Sequence, residues 1–470
     1  MILITTIFNF WLSLFSPSTT PTQKEGVVIR MVSITGNFRT RERIIRREMD
    51  LREGDTLTLQ KLDSLLEYDR RKILNTNLFV TVELKKKELL TEPHPLKTID
   101  IEVVVKEQLY LLGAPVFELA DRNFNEWWYE RGRDLRRTIY GVYALDQNLT
   151  GNNDRLRARI EFGFIPRFDV YYSRPYLDKK QRLGMTVGFI RLTNRTMAYR
   201  TRNDKLVFLN TETRTRERIL PYLTLTYRPR FYGFNSLSVE YNLNQIGDTI
   251  VRLNPNYFLG NRNRQRFLQL SFSHFYDRRD RVQYPLRGFF YGFAVRRMGV
   301  LPSDDVQQTE AFASWGQFVP LSKRWFFSYG VRGKVSSPAL QPFLQTRGLG
   351  YAGELVRGYE LYVIDGQHFA LWRTNLRYQL LNQVFDLSRY VKIRQLNTFP
   401  LAIYPNVYAD WGYVSNQFAN LNESRLANRP LYGAGVGLDF VMWYNMVARI
   451  NFSVNHLGEA RPYFSIGREF

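Results

Sequence analysis

From Arg155 to Phe162 the chain reads Arg-Leu-Arg-Ala-Arg-Ile-Glu-Phe, with a charge at every odd position and an apolar side chain at every even one. A helix would scatter these charges around its circumference, whereas a strand sends successive side chains to opposite faces. A slip of one residue would move three arginines onto the apolar face, so the register of such a strand is firmly set. The same period of two returns in Met446, Ala448, Ile450, Phe452 and Val454, interleaved with Arg449, Asn451, Ser453 and Asn455. It returns in Tyr432, Ala434, Val436, Leu438 and Phe440, interleaved with Gly433, Gly435, Gly437 and Asp439. Alternation alone leaves open whether the apolar face meets lipid or a second sheet, because a soluble sandwich alternates too.

Composition favours lipid. Of 470 residues, 15% are aromatic, with 29 Tyr and 34 Phe, while mean hydropathy is −0.34. Many large rings at low mean hydropathy suit strands whose lipid-facing residues alternate with polar lumenal ones. No apolar run long enough for a spanning helix follows the N-terminus. Residues 1–16 are apolar and uncharged and lead into Pro-Ser-Thr-Thr-Pro-Thr-Gln, which reads as a secretory leader over 1–25 that lacks the usual positive start. Cysteine is absent, which excludes disulfides, thiolate-zinc sites and a catalytic thiol. Net charge is +22, yet up to Glu107 there are 17 Lys+Arg against 15 Asp+Glu, so nearly all the excess lies beyond. Such charge often signals nucleic acid. Here the arginines fall at alternate strand positions, which suits a basic lumen or rims facing anionic headgroups, and no nucleic-acid partner is expected.

The chain divides into two regions after the leader. Residues 26–107 read as an α+β unit of order β-α-α-β-β, opening with Val27 to Ile34 and a turn at Gly36-Asn37. Thr40 and Thr58 are placed to cap two helices, the first with Ile44, Ile45 and Met49 on its apolar side, the second with Leu62, Leu65, Leu66 and Ile73. Gly54-Asp55 is the turn between them, and strands follow at Phe79 to Leu84 and Ile99 to Val105. From Gln108 to Phe470, period-two segments separated by turn signals number about sixteen, the even count a closed antiparallel barrel requires. Asn194 to Thr215 reads as an external loop, and the longest connection, Ser336 to Gly366, falls between the eleventh and twelfth strands.

That connection carries Val356-Arg357-Gly358-Tyr359, and the thirteenth strand carries Tyr408-Ala409-Asp410-Trp411-Gly412. Further upstream lie Tyr276-Asp277-Arg278-Arg279-Asp280 and Tyr284-Pro285-Leu286-Arg287-Gly288, and the chain closes on Pro462-Tyr463-Phe464-Ser465-Ile466-Gly467-Arg468-Glu469-Phe470. In this order the motifs resemble the outer-membrane assembly and translocation superfamily typified by BamA and TamA, over about residues 27 to 470. Residues 26–107, with Asn77-Leu78-Phe79 entering the second strand, resemble one POTRA module. The resemblance implies an all-β transmembrane barrel of about 16 antiparallel strands in the bacterial outer membrane, with one α+β POTRA-like domain in the periplasm. It implies a loop folded into the barrel and locked by Arg357, Gly358 and Tyr359 against Asp410 and Gly412. It also implies an insertion signal at Phe464, Ile466 and Phe470. Members often carry a second acid on the preceding strand; here the matching residue is Asn375, with Arg373 and Arg377 on its own face. This chain also carries one module where the assembly factors carry several.

The four histidines, His94, His274, His368 and His456, form no metal-binding spacing, and no nucleophile elbow, phosphate loop or CxxC occurs. No enzyme, cofactor or metal is expected. The leading expectation is a factor that guides and inserts client β-strands through a barrel seam. Its partners would be outer-membrane lipids, unfolded outer-membrane clients and periplasmic or lipoprotein accessories. An anion-selective transport channel, a two-partner secretion transporter and a structural surface antigen are the alternatives.

Overall fold

The computed structural model describes residues 26–466 except 89–96, 122, 179, 181, 212, 231, 352, 387–388, 390–397 and 443–445. The leader, Gly467 and Phe470 lie outside the described residues. Contacts divide the chain into Met1–Tyr110 with Thr150–Asn153, and Leu111–Leu149 with Asp154–Phe470. The first unit thus runs to Tyr110, slightly past the boundary expected at 107.

In the first unit β1 (Gly26–Thr35), α1 (Glu42–Glu48), β2 (Thr56–Thr58), α2 (Leu59–Leu74), β3 (Phe79–Glu88) and β4 (Lys97–Glu107) form a sheet of order β2-β1-β4-β3 covered by two helices. β1 runs parallel to β4, and β3 antiparallel to it. Alternation on β1 and β4 sends Val27, Ile29, Ile99, Ile101 and Val103 into the core, where Ile45, Leu62 and Ile73 meet them, all at 0% exposure. Burying such side chains stabilises by about 1.5–3 kcal/mol each. The short β2 is an addition to the expected order. Thr40 is not the cap of α1; the cap position is Arg41, with no side-chain cap bond. Thr40 is buried instead, its N–H donating to Glu107 Oε1 at 2.6 Å and its hydroxyl bonded to the Tyr110 hydroxyl at 2.6 Å. Thr58 does hold the cap position of α2, but without a side-chain bond. The fully buried Asp69 of α2 accepts the backbone N–H groups of Asp50 at 2.8 Å and Leu51 at 2.9 Å, joining the two helices. Burial raises its pKa, and those N–H bonds oppose the rise.

The second unit is a closed antiparallel barrel from Leu111–Leu119 to Ala460–Ile466. Its twelfth strand is interrupted: His368–Tyr378 and Leu381–Asp386 pair in succession with the thirteenth, Thr398–Ser415. Counted so, the ring has sixteen strands among the described residues. Side chains alternate with inverted polarity. Val142, Trp372, Val436 and Ile450 point outward and are half exposed, while Arg373, Asn375, Asn406, Asp439, Arg449 and Asn451 are buried inside. A contiguous apolar exterior around a polar interior is the arrangement lipid demands and water forbids. No helix among the described residues is long and apolar enough to cross a membrane. Within the span expected as a plain loop, Met197–Arg202 and Lys205–Leu209 form a separate hairpin.

Candidate functional site

The connection from the eleventh strand, Trp325–Ser337, to the twelfth turns back into the lumen. Its descent is driven by apolar burial: Leu349, Val356, Tyr359 and Ile364 pack against Phe369, Leu371, Val414 and Leu431 of the wall. Two wall glycines make room. A Cβ at Gly433, on the fourteenth strand (Pro430–Val441), would collide with the Arg357 carbonyl oxygen, and one at Gly412 would stand 2.5 Å from Val356 Cγ2. The tip turns at Gly358, whose φ of +97° is costly for any residue with a Cβ.

At that tip the Arg357 guanidinium is almost fully used. Nε donates to Asp410 Oδ2 at 2.7 Å and Nη2 to Asp410 Oδ1 at 2.5 Å, a two-pronged ion pair whose carboxylate is 0% exposed. Nη1 donates to Asn375 Oδ1 at 2.7 Å, Nη2 also reaches the Thr374 carbonyl at 3.0 Å, and the guanidinium lies 3.8 Å from the centre of the Tyr408 ring. The Arg357 backbone N–H adds a further bond to Asp410 Oδ2 at 3.1 Å. An amide oxygen at Asn375 therefore stands where a second carboxylate would have been the charged acceptor. The wall also grips the loop in return. Arg373 donates from Nη2 to the Gly353 carbonyl at 2.6 Å and from Nε to that of Leu355 at 3.0 Å.

Several members of this clamp were not singled out in the sequence. Glu360 is buried and accepts the Gly358 N–H at 2.8 Å; Asn455 Nδ2 donates to the Gly358 carbonyl at 2.9 Å; the Tyr359 hydroxyl bonds to His456. The alternate glycines of Tyr432 to Phe440 were the visible sign that something bulky lies against that strand. At another level of the lumen, the turn between the eighth strand (Arg264–Asp277) and the ninth (Gly288–Met298) folds inward. There Asp277 pairs with Arg279 at 2.7 Å, and the Tyr284 hydroxyl donates to Asp439 Oδ2 at 2.8 Å. The hairpin at Met197–Leu209 is tied to the loop by the Val363 N–H donating to the Asp204 carbonyl at 2.9 Å. Asp204 Oδ2 also accepts the N–H groups of Arg425 and Leu426. Of the residues expected to form a C-terminal insertion signal, Phe464 and Ile466 lie on the sixteenth strand, Ile466 63% exposed, while Phe470 is outside the described residues.

An inward loop clamped inside a lipid-facing barrel, preceded by a β1-α1-β2-α2-β3-β4 module, defines a class of outer-membrane protein. Residues 27–108 match the surface antigen variable number repeat, POTRA, and residues 148–377 match the Omp85 superfamily domain. The chain thus carries a POTRA module and an Omp85 superfamily domain. No curated protein matches it in sequence. Its fold is similar to that of BamA from Haemophilus ducreyi lacking POTRA domains 1–3, with TM-score 0.56 and 15% identity over 94% of this chain and 84% of that one. It is also similar to CdiB from Acinetobacter baumannii, with TM-score 0.50 and 11% identity over 94% of this chain and 74% of that one. The barrel lies in the outer membrane and the N-terminal module in the periplasm. Members of the superfamily are assembly and transport proteins that handle client proteins in that membrane.

Proposed function

We propose that this chain inserts client β-strands into the outer membrane by lateral exchange at the seam between its first and sixteenth strands, and that its work involves no chemical catalysis. The clamp of Arg357 on Asp410 and Asn375 is the observation that carries this reading. A lumen filled by a seated loop is poorly suited to steady conduction, whereas a wall braced at the twelfth and thirteenth strands leaves the seam as the place to yield. A client strand would add there through backbone hydrogen bonds, guided by the sheet edge of the module. Partners implied by this reading are unfolded barrel proteins, the surrounding lipids and periplasmic or lipoprotein accessories.

An anion-selective pore is less well supported, because lumenal cations have nearby acids. Arg157 pairs with Asp169 at 2.8 Å, Arg296 with Glu310 at 3.0 Å, and Arg449 stands 3.7 Å from Asp439. Depletion of the protein followed by a proteomic census of the outer membrane tests the proposal. Loss of many barrels indicates general assembly, loss of one or two a dedicated client, and an unchanged census sinks the reading.

A further inference from the structure

The connection between the first barrel strand (Leu111–Leu119) and the second (Thr138–Asp146) contains α3 (Phe124–Glu130). Its first turn is capped by Asn123, whose side chain accepts the Glu126 N–H at 2.8 Å. This short helix lies against the sixteenth strand, at the edge where that strand turns from the fifteenth toward the first. The buried Asn125 side chain meets Phe464 twice: its Oδ1 accepts the Phe464 N–H at 3.0 Å, and its Nδ2 donates to the Phe464 carbonyl at 3.2 Å. One residue in an antiparallel ladder offers its opposite number that same pair, one acceptor and one donor. Both Phe464 groups are therefore aimed away from the fifteenth strand, into the seam. The next seam-facing carbonyl toward the start of that strand, that of Pro462, accepts the Tyr129 hydroxyl at 3.2 Å. Pro462 has no N–H to offer. Two successive seam-facing positions are thus satisfied by side chains of α3.

The helix is also built to sit in a wall. Phe124 meets Phe464 edge to face at 5.7 Å and stacks on Trp128 at 5.5 Å, and Phe124, Trp128 and Tyr129 are all more than one-third exposed. Toward the lumen, Asn123 Nδ2 donates to the Glu360 carbonyl of the clamped loop at 2.9 Å, and Lys205 of the surface hairpin pairs with Glu130 at 2.7 Å. A cavity of about 1040 Å³ bordered by Asn125, Phe464, Ser465 and Ile466 lies on the inner side.

We propose that α3 is a resident occupant of the seam: Asn125 stands in for the backbone of a neighbouring strand, and an extended polypeptide reaches the edge of the sixteenth strand at Pro462 and Phe464 only by displacing the helix. The proposal rests on the insertion reading above for the identity of that polypeptide. It makes Asn125 a positioning residue that sets how readily the edge is exposed. Its contact with the Glu360 carbonyl through Asn123 ties helix release to the loop.

The test uses the full-length protein in phosphatidylethanolamine–phosphatidylglycerol vesicles, with a benzophenone amino acid replacing Ile466. The probe is a fluorescent peptide having the sequence of residues 458–470. Asn125→Asp keeps the acceptor but turns a carboxylate on the Phe464 carbonyl, so peptide capture is expected to rise roughly tenfold, the equivalent of one to two lost hydrogen bonds. Wild-type capture by a variant that retains heat-modifiable mobility overturns the proposal. A second protein carries Asn125→Cys and Phe464→Cys in a chain otherwise free of cysteine. It is expected to capture peptide when reduced and to fall to background when oxidised; equal capture in both states overturns the proposal even if Asn125→Asp fails to fold. Capture is read without cells, so an unchanged barrel census after depletion would remove the insertion reading and leave the seam helix standing.

Discussion

The two regions solve burial in opposite senses. In the N-terminal module, Ile29, Ile99 and Ile101 are fully enclosed and charges lie mostly on the surface; in the barrel, Arg373, Asn375 and Asp439 are enclosed and Trp372 and Val436 face out. The module is held mainly by the removal of apolar surface from water, which is non-directional and tolerates modest repacking. Inside the barrel the wall stands on its own ladder, and the loop within it is positioned by directional bonds between charged and polar groups. Those bonds decide which arrangement persists, and losing one partner leaves a buried charge exposed to no solvent. Equivalent truncations should therefore unfold one region and unseat a loop in the other.

The largest expected effect is on the loop. Arg357→Ala and Asp410→Asn should each cost about 3–5 kcal/mol of loop seating, seen as faster proteolysis within 338–367 while the barrel keeps its heat-modifiable mobility. The double variant should be little worse than either single, because both remove one interaction. Additive losses would mean that Arg357 relies on another partner. The matching truncation in the module, Ile101→Ala in a fragment of residues 26–110, should cost about 2–5 kcal/mol in urea unfolding followed by circular dichroism. Ile450→Ala, on the outward face of the barrel, should leave loop proteolysis unchanged. A fragment with a random-coil spectrum would show that the module is not an independent unit and would break the comparison.

A smaller effect tests a polar exception inside the module. Asp69→Asn should lower fragment stability by about 1–3 kcal/mol, since part of the acceptor capacity holding Asp50 and Leu51 is lost. Burial raises the Asp69 pKa, so the folded form binds its proton more tightly than the unfolded chain does. Its contribution is then fully present at low pH and declines as pH rises through the window above the usual aspartate value of 3.8. The deficit of the variant should accordingly be greatest at low pH and narrow as pH rises. A deficit that widens with pH would mean that the backbone bonds outweigh burial.

Legibility differed between the regions for physical reasons. Period-two strands bring residues together through register, so the order of strands and the loop between the eleventh and twelfth could be read from alternation and spacing. The clamp partners Arg357 and Asp410 stood out through their motifs, and Asn375 as the departure from the pattern. Arg373 was visible only as a neighbour on the face of Asn375; in the structure it donates to the Gly353 and Leu355 carbonyls. Backbone acceptors leave no trace in a sequence. The helix α3 left one local sign, Asn123 three residues before Glu126, a capping pattern ahead of aromatic residues. Its partner Phe464 lies 339 residues beyond Asn125, a separation no local pattern spans. Thr40 shows the converse: a good capping residue drawn into a tertiary contact with Glu107 and Tyr110.

The finest expected effect asks whether the clamp needs its charge on one particular strand. Asn375 accepts from Arg357 through a neutral oxygen at 2.7 Å, while the charged acceptor, Asp410, sits on the neighbouring strand. Asn375→Asp preserves shape and makes that bond charge-assisted, a gain of about 1 kcal/mol, partly offset by placing a second carboxylate near Asp410. In the wild-type background the gain in loop protection should therefore be slight. Asn375→Glu should do worse, because its extra methylene carries the carboxylate toward Arg373, whose release from Gly353 and Leu355 would loosen the loop from the wall side. The decisive background is Asp410→Asn, where Asn375→Asp returns one negative charge to the guanidinium from the adjacent strand. Protease protection restored to near the wild-type level would show that the clamp requires a carboxylate within reach of Arg357, on either strand. Protection left at the Asp410→Asn level would show that the bidentate geometry on the thirteenth strand, including the Arg357 backbone N–H bond to Asp410, is what seats the loop.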